Sequence, residues 1–482
     1  MNLKAITLNV GKALLVSALF MLMSVVVSIF YGMDSGFTPL LISCILTALV
    51  GFFPFIFVKS APMMSLKDGF VTIALAWLLS FVFGMLPYVM WGGEFTIINA
   101  WFESVSGYTT TGSTILNDVE ALPKSLLFWR SSTHFIGGLG VVVFLLLVLP
   151  QASPYRMKLT NMEMSSLSKD GYRYKSSKVL RIIVSVYLGF VVALFFSLWA
   201  AGMSIFDALN HAFSIAATGG FSTKNLSLAY FNSDLINYIV LFFMTICAMH
   251  FGLLYSVLVT GSFKPLNNAV VKFYFGSIIV CSTIVAISLM TQGGYTSWGD
   301  AAMDSTFTVV SYMSTAGFAI CDNALWPPLA GFILIIVSLH CGCSGSTTGG
   351  IKVDRIVIAF KAIGHEIKRR LHPSAVSQVR MSGQNLSDTS VNAVMMFIVV
   401  YVFTIFVSVL GVMLCGTDAG TAFSGVVASI GSVGPGLGEL GCLDSYAAQP
   451  AMAKFIYTLD MFLGRVEIFP LLVVLSMIFR RK

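Results

Sequence analysis

Apolar runs of about twenty residues recur along the whole chain, and that feature limits its fold more than any other. A helix rises 1.5 Å per residue, so roughly 20 apolar residues cross the ~30 Å hydrocarbon core of a bilayer. Ten candidate spans meet that length: 13–31, 37–58, 69–92, 126–149, 179–201, 235–261, 273–291, 326–340 continuing irregularly, 391–415 and 454–479. Only 10% of the 482 residues are charged, against about 25% in soluble domains, and mean hydropathy is +0.88. A water-soluble, disordered or nucleic-acid-coating protein is thereby excluded. The start is basic and then apolar, as in a signal peptide. Its apolar run is too long for a cleaved leader and lacks a small-residue cleavage site, so it reads as the first span. The eight cysteines lie mostly in or near apolar segments with no CxxC pair, and imply no disulfide framework.

Four shorter apolar stretches, near 96–108, 204–217, 300–314 and 418–430, fall between pairs of spans and cannot cross on their own. Each runs into a glycine-containing polar segment: SGYTTTGST, AATGGFST, MSTAGFAI and GSVGPGLGE. Aligned on Gly112, Gly220, Gly317 and Gly434, the segments are separated by 108, 97 and 117 residues. The chain therefore reads as an all-α polytopic membrane protein with four copies of one unit: helix, short pore helix, loop, helix. The expected divisions are an N-terminal two-helix extension at 1–62 and repeats at 63–150, 151–263, 264–372 and 373–482.

The formal charge of +7 reads as a topology signal, because Lys and Arg accumulate on cytoplasmic loops. With both termini cytoplasmic, the inner loops hold Lys59 and Lys67, then Arg156, Lys158, Lys169, Arg173, Lys175 and Lys178. They also hold Lys264, Lys272, the basic segment 352–372 and the terminal Arg480, Arg481 and Lys482. The outer connectors then hold mainly acids, among them Glu94, Glu103, Asp118, Asp322 and Asp444.

Non-helical backbone at membrane depth survives only when buried in protein or lining a watery path. Four equivalent loops can converge on one pseudo-fourfold axis, where inward carbonyls replace the water shell of a cation. Glycine allows the positive φ that turns successive carbonyls the same way. Thr109, Thr110 and Thr111, with Thr218 and Thr315, add hydroxyls. The short helices aim their negative dipole ends at the same centre, and the acidic connectors concentrate cations at the mouth. For any one loop taken alone, a tight turn between helices is the alternative.

In these stretches the chain resembles the Trk/Ktr/HKT superfamily of potassium transporters, most closely its bacterial TrkH/TrkG type. The matching segments are ESVSGYTTTGST (103–114), ATGGFST (217–223), STAGF (314–318), WRSSTHFIGGLGVVV (129–143), CGCSGSTTGGIK (341–352) and GRVEIFP (464–470). The resemblance implies a potassium filter at 109–112, 217–220, 314–317 and 431–434. Backbone oxygens of Thr110, Thr111, Thr218, Gly219, Thr315, Ala316, Ser432 and Val433 would touch the ion. Gly112 matches the potassium-selective relatives, since a serine there marks the more sodium-permeable ones. The fourth loop departs from the Thr-Gly style, with Ser432-Val433-Gly434-Pro435. The resemblance further implies an intramembrane gating loop at 341–352, a bacterial inner-membrane location and a homodimer. A cytosolic nucleotide-binding regulatory subunit of the TrkA type would dock on the basic segment 352–372, which reads equally as a membrane-edge helix.

The gating loop has a physical basis of its own. Residues 341–350 contain four glycines and no large side chain, so a helix does not easily continue. Gly345, Gly349 and Gly350, followed by Lys352, suit a segment that changes backbone state; a packing kink is the alternative. Gly345-x-x-x-x-Gly350 lacks the Gly-Lys-Ser/Thr of a phosphate loop, and His340, Cys341 and Cys343 crowd too closely for zinc. Arg465 lies mid-span, where an ionisable residue usually faces a cavity; by resemblance it sits below the filter, and an ion pair with Glu467 or another acid that only staples helices is the alternative. Arg130 reads as a snorkelling residue, and His134, His211 and His250 as packing residues. Together these features point to a potassium uptake permease. The competing readings are a proton- or sodium-coupled symporter, which needs buried carboxylates in the spans, and an intramembrane enzyme, for which no catalytic constellation appears.

Overall fold

The computed structural model describes residues 2–58, 64–148, 176–372, 378–381 and 384–479. Two long apolar helices, α1 (Leu3–Phe30) and α2 (Phe37–Phe57), pair first. Small residues set their distance: a methyl group on Gly11 would lie 2.7 Å from the Gly51 carbonyl oxygen, so only glycine permits this approach. Then one order recurs four times: a long helix, a helix of 12–16 residues that ends in a loop, and a further helix. The first unit holds α3 (Leu66–Gly84), α4 (Leu86–Trp91), the short α5 (Ile97–Thr109) and α6 (Lys124–Val148). The second holds α7 (Ser176–Ala200), the short α8 (Ile205–Ala216), α9 (Asp234–Cys247) and α10 (Phe251–Thr260). The third holds α11 (Ala269–Gln292), the short α12 (Trp298–Met313), α13 (Pro328–His340) and α14 (Val353–Leu371). A two-residue ribbon, β1 (Arg380–Met381) with β2 (Gln384–Asn385), precedes the fourth: α15 (Asp388–Leu414), the short α16 (Ala419–Gly431), α17 (Ala451–Arg465) and α18 (Phe469–Phe479).

The short helices begin alike because their sequences supply the same start signal. Thr96, Ser204, Ser297 and Asp418 each accept a hydrogen bond from the backbone N–H three residues on, which satisfies an otherwise orphaned donor. Two large apolar cores result. One is built mainly from residues of the second and third units, with Phe128 and Phe135 of α6, and the other mainly from the α1–α2 pair with the first and fourth units. The loops that follow the short helices lie where these halves meet.

Among the described residues, six helices are long and apolar enough to cross a membrane, and α9 with α10 makes a seventh if that pair counts as one span. The expectation of unbroken helices at 235–261 and 454–479 is corrected. The α9–α10 pair bends by 103° because another segment enters its hydrogen-bond ladder. Cys343 N–H donates to Ala248 O (2.8 Å) and Phe251 N–H donates to Gly345 O (3.2 Å). His250 Nδ1 accepts from Gly252 N–H at 2.9 Å and so caps the new start. Between α17 and α18, Glu467 and Ile468 take φ of +61° and +45°, and Pro470 sits in the first turn of α18, where a missing N–H costs nothing. The basic residues Lys59, Arg156, Lys158, Lys169, Arg173, Lys175, Arg480, Arg481 and Lys482 lie outside the described residues.

Candidate functional site

The four loops share one backbone conformation. Thr110, Thr218, Thr315 and Ser432 each adopt a left-handed φ of 54°, 54°, 56° and 54°, a state that costs a non-glycine residue roughly 1–2 kcal/mol. Two residues later Gly112, Gly220, Gly317 and Gly434 take φ of 84°, 89°, 64° and 99°. Between them, the N–H groups of Thr111, Gly219, Ala316 and Val433 turn back to the carbonyls of Ser106, Ser214, Ser311 and Ala428 at 2.8–2.9 Å. These bonds satisfy the helix ends in Schellman fashion and leave the loop carbonyls free for other partners.

The loops then close on one another. A methyl group on Gly112 would overlap the Gly219 carbonyl oxygen. One on Gly220 would lie 2.6 Å from Ala316 O, one on Gly317 2.6 Å from Val433 O, and one on Gly434 2.5 Å from Thr111 O. Each glycine abuts the carbonyl of the next unit, and the fourth returns to the first. All four glycines line one cavity of about 180 Å³, shared with Arg130, Lys224, Cys442 and Asp444. The hydroxyls at the left-handed positions are also set apart. Those of Thr110, Thr315 and Ser432 are buried with no partner, while Thr218 donates to Ala217 O and reaches Thr347 Oγ1 at 3.2 Å.

That last contact leads to the glycine-rich segment 341–352, which lies against the ring. A methyl on Gly349 would overlap Gly431 O, one on Gly350 would overlap Cys341 Sγ, and one on Gly345 would lie 2.7 Å from the His250 ring. The glycines therefore serve close packing in this conformation, and Gly345 and Gly350 also hold φ of 77° and 70°. Arg465 is buried and donates to Thr347 O of the segment and, at 3.0 Å, to Gly137 O of α6. The expected alternative, an Arg465–Glu467 ion pair, does not form. Glu467 instead pairs with Lys352 (3.4 Å), the last residue of the segment, and with Arg355 (2.8 Å) just past it.

Two residue readings are corrected here. Arg130 is 2% exposed and does not snorkel. Its Nε donates to Glu103 Oε1 at 2.7 Å, and its guanidinium lies 3.9 Å from the centre of the Phe221 ring. Phe221 stacks in turn on His134 at 4.1 Å. Glu103 is no connector residue: it is buried in α5 and also accepts from Ile115 N–H at 3.1 Å. The spans are not free of acids either. Asp460 in α17 is 1% exposed, accepts from Ser408 at 2.6 Å, and keeps its Oδ2 without a partner. No periodicity marks it, since it is a single acid in an amphipathic helix.

Around the cavity the acids are exposed and differently tuned. The amide of Asn225 holds Asp118 below the usual carboxylate range, whereas partial burial, then Asp322 and Glu439, push Asp444 above it.

The family of TrkH-type cation transport proteins matches residues 41–481. The chain is 33% identical over 487 residues to the Trk system potassium uptake protein TrkH of Salmonella typhimurium, covering 100% of both chains. It is 34% identical to the Trk system potassium uptake protein TrkG of Escherichia coli K12, covering 100% of this chain and 99% of that one. The crystal structure of the potassium transporter TrkH from Vibrio parahaemolyticus superposes over 100% of both chains with a TM-score of 0.89 at 30% identity.

Proposed function

The chain belongs to the TrkH family of cation transport proteins, and on that premise we propose that it is a potassium uptake permease conducting through one gated pore. It is an integral membrane transporter and not an enzyme. The observation that carries the reading is the closed ring in which each loop's glycine meets the next loop's carbonyl. Carbonyls of Thr110, Thr111, Thr218, Gly219, Thr315, Ala316, Ser432 and Val433 form the filter and replace the hydration shell of a potassium ion, whose entry is favoured by the negative ends of α5, α8, α12 and α16. The buried Glu103–Arg130 pair braces the first two loops without placing a net charge beside the ion.

Segment 341–352 is the gate. It packs under the ring, with Gly349 against Gly431 and Thr347 against Thr218. Arg465 holds it with a fixed positive charge, and the Glu467 clamp on Lys352 and Arg355 anchors its far end. Opening requires these contacts to break. α14, which continues directly from the gate, is where a cytosolic nucleotide-binding subunit of the TrkA type would act, with the pore subunit as a homodimer in a bacterial inner membrane and both termini cytoplasmic.

Proton- or sodium-coupled symport is the second reading, and Asp460 favours it because its free carboxylate oxygen is buried in a span. Rubidium uptake into vesicles holding the purified chain separates the two, with proton and sodium gradients set independently. Uptake that follows the rubidium gradient alone supports the permease. Uptake that stops without a proton or sodium gradient supports the symporter, and no flux even with the regulatory subunit present rejects both.

A further inference from the structure

Behind the first loop lies a second cavity, unconnected to the ring by any shared lining residue. It encloses about 260 Å³ between α1, α3, α5 and α6, many times the ~10–15 Å³ that one water needs. Its walls are apolar: Val16 and Phe20 of α1, Trp77 of α3, and Phe135 and Leu139 of α6. Tyr108, one residue before the loop threonines, forms its back, and its hydroxyl is already engaged with Ser17 at 2.8 Å. Waters would find few hydrogen-bond partners there, and a buried water needs two to four. An apolar occupant suits the walls.

The mouth says which kind. Val16 is 44% exposed, and Leu19 and Met23 continue the same exposed apolar surface of α1, so the cavity opens beside a face turned to hydrocarbon. Lys12 and Asn9 sit on its rim. α1 has 28 residues, about 42 Å at 1.5 Å per residue, and so overhangs a ~30 Å core by about 6 Å at each end. Lys12, nine residues into the helix, lies about 7 Å inside the core by the same arithmetic, a depth from which a lysine side chain leaning toward the helix N-terminus reaches back to the headgroups. Among the described residues Lys12 is exposed and has no ion-pair partner. We infer that this cavity is a lipid site, taking an acyl chain of an anionic phospholipid whose phosphate meets Lys12.

Trp77 is 4% exposed and lines the cavity, so it reports on an acyl chain that enters. The full chain is reconstituted in phosphatidylcholine vesicles, with brominated acyl chains carried either by phosphatidylglycerol or by phosphatidylcholine. The Trp77 signal is the difference between the unsubstituted chain and Trp77→Phe. It should be quenched at about fivefold less brominated phosphatidylglycerol than phosphatidylcholine, the preference that one lysine near an anionic surface supplies. Lys12→Gln, at an exposed position that does not threaten folding, should bring the two curves together. Ala13→Phe, which fills the cavity, should remove the quenching, with Val16→Phe as the second filler should the first not yield folded protein. A Trp77 signal that neither lipid quenches overturns the site. Equal quenching by both lipids, unchanged in Lys12→Gln, overturns the anionic headgroup.

Discussion

At the residue scale, the proposed function turns on side chains that hold backbone oxygens in place. Arg465 donates to Thr347 O of the proposed gate and Gly137 O of α6. Hydrogen bonds from a charged donor contribute about 1.5–3 kcal/mol each, so losing the one to the gate shifts its equilibrium by tenfold or more. Arg465→Ala should therefore raise rubidium flux through the purified chain without its regulator by at least about tenfold. An unchanged flux in a folded variant would remove Arg465 from the gate. Gly434 tests the ring in the same way. Its φ of 99° and the 2.5 Å approach of Thr111 O leave no room for a methyl group. Gly434→Ala should lose the rise in melting temperature that potassium gives the unsubstituted chain, because a ligand stabilises only the fold that binds it. Retention of that rise would mean the ion binds elsewhere. These glycines were legible in the sequence because a positive φ calls for them. Arg130 was not, since its partner Glu103 lies 27 residues away and on another helix, where spacing carries no information.

At the element scale, the proposed gate at 341–352 is seated by a neighbouring break as much as by its own glycines. The ladder of α9–α10 opens at Ala248 and Phe251 to bond the backbone of the proposed gate; no Pro marks that site, and Gly252 just beyond it is a weak signal on its own. A kink imposed by tertiary contact leaves little local trace, which is why residues 235–261 read as one helix. The α17–α18 break differs: Pro470 announces it, while the sequence spacing of Glu467, two residues from Arg465, points to the wrong partner. Its actual partners bring α14, and with it the end of the gate, to the fourth unit. Glu467→Gln should raise basal flux several-fold, and combining it with Arg355→Met should add less than the sum of the two, as expected for residues sharing one network. Strict additivity would show that the clamp does not act as a unit. The loops at the mouth add a pH response. Asp444 has its carboxyl pushed up by partial burial and by Asp322, so it takes a proton on acidification before an ordinary aspartate does. The folded chain favours that protonated form, so the group's contribution to stability is full in acid and lost as pH rises through its folded value. Charge at the mouth runs the other way. Apparent rubidium affinity should begin to weaken, as pH falls, above the range in which an ordinary aspartate titrates, and Asp444→Asn should flatten that dependence. A profile that Asp444→Asn leaves unchanged would assign the titration to another group.

At the scale of the whole molecule, four loops of like conformation close on one another around the proposed pathway. The repetition was visible in the sequence because each unit repeats one interruption. The division into two cores was not, because which units pair depends on side chains distant in the chain. Asp460 sits within this plan as a single asymmetry. Its counterparts in the other units are not acids, and an exposure of only 1% with one oxygen unpartnered keeps a carboxyl in a span at some cost to stability. If the molecule is a permease, Asp460 is structural, bonded to Ser408 between α15 and α17, and removing its charge leaves ion movement intact. If it couples ion entry to a proton, Asp460 is the group best placed to carry that proton. Asp460→Asn keeps the shape and the bond to Ser408 but cannot titrate. With a pH-sensitive dye inside vesicles and rubidium outside, uptake by both proteins should proceed equally, with no proton movement beyond what charge balance demands. Proton entry in fixed proportion to rubidium, present in the unsubstituted chain and absent in Asp460→Asn, would instead establish coupled transport. The closed ring would then be the selective half of a symporter.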